Sequence, residues 1–126
     1  MIDGSDRSDD ETGEKRMVTE TLGIVRVARQ VLSTIIVHAA LQIPGVVRMA
    51  HVDERWPRLL GREVPREGVA LAIKDDVLSA DLYIVVASGV NIVEVGSSVQ
   101  EEVAEAIEHM VGMQVREINV YIQDVV

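Results

Sequence analysis

Cysteine is absent from the 126-residue chain, which excludes disulfide frameworks, thiolate nucleophiles and every zinc site built on sulfur ligands. The signatures of common enzyme classes are missing as well. There is no GxGxxG turn, no Gly-rich phosphate loop ending in Gly-Lys, no GxSxG elbow and no HExxH helix,. His38, His51 and His109 are the only histidines, and no two share the helical spacing of metal ligands,. Aromatic residues make up 2% of the chain, too few for a cluster of base-stacking side chains,. Residues 1–20 lack the apolar stretch of a secretory leader,. The longest apolar-rich stretch, Val31 to Val47, is broken by Ser33, Thr34, His38, Gln42 and Pro44, so it does not suit a bilayer,. A formal net charge of −9 repels phosphate backbones over most of the surface,. These absences set the first expectations: no catalysis, no cofactor, no metal, no membrane insertion, and no general binding of nucleic acid.

What is present suits one small domain with a real core, since 48% of the residues are hydrophobic and the length is short of two ordinary domains,. Residues 1–20 are rich in Ser, Asp, Glu and Gly with almost nothing to bury, and read as a disordered acidic tail,. The folded domain is then expected over residues 21–126. Leu22-Gly23-Ile24-Val25-Arg26-Val27 has the β-branched alternation of a strand,. From Arg29 to Ile43 apolar residues recur every three or four positions as one helical stripe, which Pro44-Gly45 ends,. Val46 to Ala50 reads as a strand, and Pro57, Gly61 and Pro65 make Asp53 to Glu67 a long loop,.

Gly68–Lys74 and Val77–Ala87 are strand patterns joined by Asp75-Asp76, which predicts an antiparallel hairpin,. Asn91 is placed to cap a second helix, with Glu94 able to reach back to it,. The apolar stripe of that helix is Ile92, Val95, Val99, Val103, Ala106, Ile107 and Met110, and Gly112 closes it,. A last strand alternates from Met113 to Val125,. The expected class is α+β: a two-layer α/β sandwich of order βαβββαβ, with one mixed sheet of about five strands and two helices on one face,.

Two constellations carry the functional reading. Arg48, His51, Arg55, Arg58, Arg62 and Arg66 fall on or around the long loop with Trp56, the only tryptophan. Arginine fixes carboxylates and phosphates bidentately, and an exposed Trp is a rigid apolar anchor, so the group suits capture of an acidic partner. The same residues also fit a lid over the core, with the arginines paired to Asp53, Glu54, Glu63 and Glu67. The second constellation is the uncovered sheet face, where Leu22, Ile24, Ala70, Ala72, Tyr83, Val85 and Tyr121 are expected side by side as a self-association surface,.

Taken in order, these segments resemble the alkaline shock protein family of bacterial general-stress and envelope-stress proteins. The likeness rests on Gly23-Ile24-Val25-Arg26-Val27, Ile43-Pro44-Gly45-Val46, Glu67-Gly68-Val69, Val99-Gln100-Glu101-Glu102-Val103, Gly112-Met113-Gln114-Val115 and the closing run Ile118 to Val125. It extends from about Leu22 to the C-terminus. The chain departs from the family pattern at Ala28-Arg29, where a Ser often precedes the helix, and in a longer Arg-rich loop. The resemblance implies a non-enzymatic cytoplasmic protein of envelope stress or homeostasis, in some members gathered at the membrane by a membrane-anchored partner. The expected role is a homo-oligomeric scaffold or adaptor acting by protein binding. A small RNA-binding module and an accessory subunit of a neighbouring enzyme are the alternatives.

Overall fold

A computed structural model of the protein describes residues 22–50 and 67–126. Helix α1 spans Arg29–Leu41 and strand β1 Val46–Met49. Strands β2 (Val69–Lys74) and β3 (Val77–Val86) form a hairpin, helix α2 spans Ile92–Ala106 and runs on as a π-helical turn over Ile107–Val111, and strand β4 spans Gln114–Val125. Asp75 and Asp76 both take positive φ, 53° and 63°, which is the backbone a two-residue hairpin turn requires and which Asp tolerates,. The Asn91 side chain accepts the Glu94 amide at 3.0 Å, so the expected N-cap of α2 is formed,.

The sheet is mixed and built around β3, which is antiparallel to β1 and β2 and parallel to β4. β2 pairs with β3 from Val77 to Leu82 and β1 from Ile84 to Val86, so the two short strands lie end to end along one side of it. β4 runs along the other side for the whole length of β3. Both helices pack on one face. Leu78, Ala80, Leu82, Ile84 and Val86 alternate along β3 into a core with Leu32 and Ile36 of α1 and Val95, Val99, Val103 and Ile107 of α2. Each such buried Leu, Ile or Val side chain contributes roughly 1.5–3 kcal/mol, which makes this layer the main source of stability.

The α+β class and the two-layer packing are as the sequence predicts, and three local expectations change. The segment Leu22–Val27 is not a strand: among the described residues it has no sheet partner, and Leu22, Ile24 and Val25 are 84%, 71% and 85% exposed. Four strands therefore form among the described residues where about five were expected, because strand propensity supplies no ladder unless an edge is placed beside it. Met110 is 70% exposed although it continues the apolar spacing of α2. The π-turn at Ile107–Val111 adds a residue to the turn and carries Met110 off the buried stripe,. Ile92 is also exposed, at the first turn of α2.

Candidate functional site

The architecture brings one point of the sheet into focus. The Ala50 amide donates to the Tyr83 carbonyl at 2.8 Å, and the Tyr83 amide donates to the Gly68 carbonyl at 2.8 Å. Ala50 and Gly68, far apart in sequence, are thus both held by the same residue of β3. Gly68 takes φ +81°, and a Cβ there would meet the Tyr83 carbonyl oxygen at 2.9 Å and Met49 Cβ at 3.1 Å. Only glycine permits both the φ and the approach.

On the face of β3 away from the helices, Tyr83 stacks on Tyr121 of β4, ring centroids 5.0 Å apart and planes 18° from parallel. With Ala50 and Val85 they form a second, smaller apolar cluster. Tyr83 and Val85 are 4% and 2% exposed, and Tyr121 is half-buried. The expectation that they lie open as a self-association surface is corrected for Tyr83 and Val85. They belong to the central strand, and Tyr83 is packed in its stack with Tyr121. Leu22 and Ile24 do not join this face, since their segment is outside the sheet.

Of the basic constellation, Arg48 lies exposed on β1, paired across to Val85. Arg55, Trp56, Arg58, Arg62 and Arg66 lie outside the described residues. The structure therefore places one member of that set.

The same sheet face is polar at its other end. Asn119 of β4 donates to the Asp81 carboxylate at 2.9 Å and, more weakly, to Glu117 at 3.4 Å. Two helix side chains reach strand carbonyls: the Arg29 guanidinium donates to Leu71 at 2.8 Å, and the Gln100 amide donates to Ile118 at 3.0 Å. Apart from the Asn119–Glu117 bond, these contacts had no local sequence signal, because each joins residues 18 or more apart. Two shallow grooves of about 400 Å³ flank the helices, one along α1 at Ser33, Thr34, His38 and Glu67, the other between Pro44 and the start of α2. Among the described residues no group of three His, Asp or Glu is arranged to hold a metal, and no helix is long and apolar enough to cross a membrane.

A profile of the alkaline shock protein (ASP23) family, described as having a cell envelope-related function, matches residues 17–126. The protein Spy1614 of Streptococcus pyogenes serotype M6 is 32% identical over 106 residues, covering 82% of this chain and 88% of that protein. YqhY of Bacillus subtilis strain 168 is 34% identical over 106 residues, covering 80% of this chain and 76% of its own. Among solved structures, the copper form of the MamM C-terminal domain superposes with a TM-score of 0.54 at 18% identity, covering 75% of this chain and 84% of that one. At that identity the likeness is one of fold.

Proposed function

The chain belongs to the alkaline shock protein family, whose function is cell envelope-related, and on that premise we propose that it is a non-enzymatic scaffold or adaptor of envelope stress response and homeostasis. It acts by self-association and by binding an acidic protein partner at the membrane, itself remaining in the cytoplasm. The observation that supports this most directly is the distribution of charge. Between Arg48 and Glu67 five arginines stand against four acids, whereas from Asn91 onward seven acids stand against Arg116. The basic stretch begins on β1 at exposed Arg48, and both its ends are held against Tyr83 of the central strand. A basic segment tethered at both ends to a rigid sheet pays less entropy on binding than a free tail.

Arg55, Arg58, Arg62 and Arg66, with Trp56 as apolar anchor, are assigned to the partner, because guanidinium groups grip carboxylates bidentately. The test is capture from a solubilised envelope fraction by the wild-type protein and by the Arg55→Glu, Arg58→Glu, Arg62→Glu triple variant. Capture is expected to weaken in 1 M salt, where screening acts over about 3 Å, to vanish in the Glu triple, and to survive in part in the corresponding Lys triple. Equal capture under all these conditions would remove the basic segment from the function.

A further inference from the structure

The long strand β4 pairs with β3 on one side, and among the described residues nothing pairs with its other side. The opposite margin of the sheet is different, being divided between β1 and β2, with the Leu71 carbonyl of β2 held by Arg29. β4 therefore offers the longer continuous edge. Its register with β3 skips Arg116 and Gln123, which leaves Glu117 to Ile122 as the regular run between two irregularities.

That run is complementary to itself when reversed. Set antiparallel about Val120, Ile118 faces Ile122 and Asn119 faces Tyr121. Beyond them Glu117 faces the neutral Gln123, and Arg116 faces Asp124. No like charges are opposed, and the two-fold operation forms the Arg116–Asp124 pair twice. Centring one residue earlier sets Arg116 against Ile122 and Asp124 against Gln114, and centring one residue later sets Asp124 against Ile118. Cross-strand partners sit about 4.5–5.5 Å apart at Cβ, so opposed side chains touch and opposite charges select the register.

The helix layer above this edge agrees with the same two-fold. Gln100 points toward β4, because its amide reaches Ile118. At helical spacing Val93, Gly96, Ser97 and Ala104 share that flank,. It carries no charge. Glu94, Glu101, Glu102 and Glu105 are rotated from Gln100 by about 100° or more, and Glu108 lies beyond this stretch on the π-helical turn,. Val93 on this flank is 77% exposed, and a Cβ added at Gly96 would meet nothing within 4 Å. Two copies joined at β4 bring these flanks together on the same side of the extended sheet, neutral against neutral, with the carboxylates turned away.

We infer that the outer edge of β4 and the Val93–Gln100 flank of α2 form an isologous interface for a second copy of this chain, in antiparallel register centred on Val120. The inference rests on the self-association half of the proposed function and gives it a location. The Gln100 bond does not obstruct pairing, since a carbonyl oxygen has two lone pairs and accepts a second donor.

Equilibrium sedimentation of the full chain tests this with the wild type, Gly96→Arg, Arg116→Asp, Asp124→Arg and the Arg116→Asp, Asp124→Arg exchange. Each single charge reversal opposes like charges twice and is expected to weaken association by about tenfold or more, while the exchange restores it to within about threefold. Gly96→Arg fills open space on an α-helix and is expected to abolish association with the melting temperature unchanged or raised. If the wild type associates and every variant associates equally well, the interface is elsewhere and self-association stands without it. If the single reversals weaken association but the exchange does not restore it, the register is wrong. A wild type that is monomeric at every concentration sinks both the interface and the self-association it rests on.

Discussion

Gly68→Ala puts the geometry at Tyr83 to a quantitative test, because the protein contains its own control. At Gly68, φ is +81° and the new methyl group would stand 2.9 Å from the Tyr83 carbonyl oxygen and 3.2 Å from that of Ala50. At Gly89, φ is +89°, but a Cβ would meet nothing within 4 Å. Both substitutions incur the left-handed backbone cost of an L-residue, roughly 1–2 kcal/mol. Gly68→Ala must in addition push backbone away from backbone on the central strand, which cannot be relieved by turning a side chain. Overpacking of this kind costs about 1–3 kcal/mol more. The expected totals are about 2–5 kcal/mol for Gly68→Ala and about 1–2 for Gly89→Ala, against a total stability of roughly 5–15 kcal/mol. At about 4 °C per kcal/mol for a domain of this size, the melting temperatures should fall by about 8–20 °C and about 4–8 °C. Urea titration followed by far-ultraviolet circular dichroism reads both. Equal losses at the two positions would mean that the chain does not pass Tyr83 closely at Gly68, and the anchoring of the basic segment would lose its foundation.

Asn91→Ala removes the acceptor of the Glu94 amide at the start of α2, and should lower stability by about 1 kcal/mol, whereas Asn91→Ser should cost only a few tenths. Tyr83→Ser takes a 4%-exposed ring out of its stack with Tyr121 and should destabilise the fold by about 3–5 kcal/mol in chemical denaturation. The half-buried Tyr121→Ser should cost clearly less. A Tyr83→Ser protein of undiminished stability but smaller assembly mass would restore Tyr83 as a contact surface.

The local signals in the chain were sufficient wherever neighbours in sequence settle the structure. Pro44-Gly45 ends α1, Asp75-Asp76 supplies two residues that accept positive φ, and Asn91 caps α2, each within one turn of the backbone. Alternation along β3 likewise divides Leu78, Ala80, Leu82, Ile84 and Val86 from Ser79, Asp81, Tyr83 and Val85, and the structure keeps that division. The family, too, was legible, because it is carried by the order and spacing of these same junctions. Tertiary structure decided what depends on which strands become neighbours. Leu22 to Val27 has the composition of a strand but gains no ladder among the described residues, and Tyr83 and Val85 have the composition of a surface patch but are buried in the folded chain. The partners of Arg29 and Gln100, and the place of β4 at one side of the described sheet, follow from the order of strands in it. Burial and edge status are properties of a position in the assembled sheet, so the same alternating pattern serves equally for an inner strand, an edge or an unpaired segment.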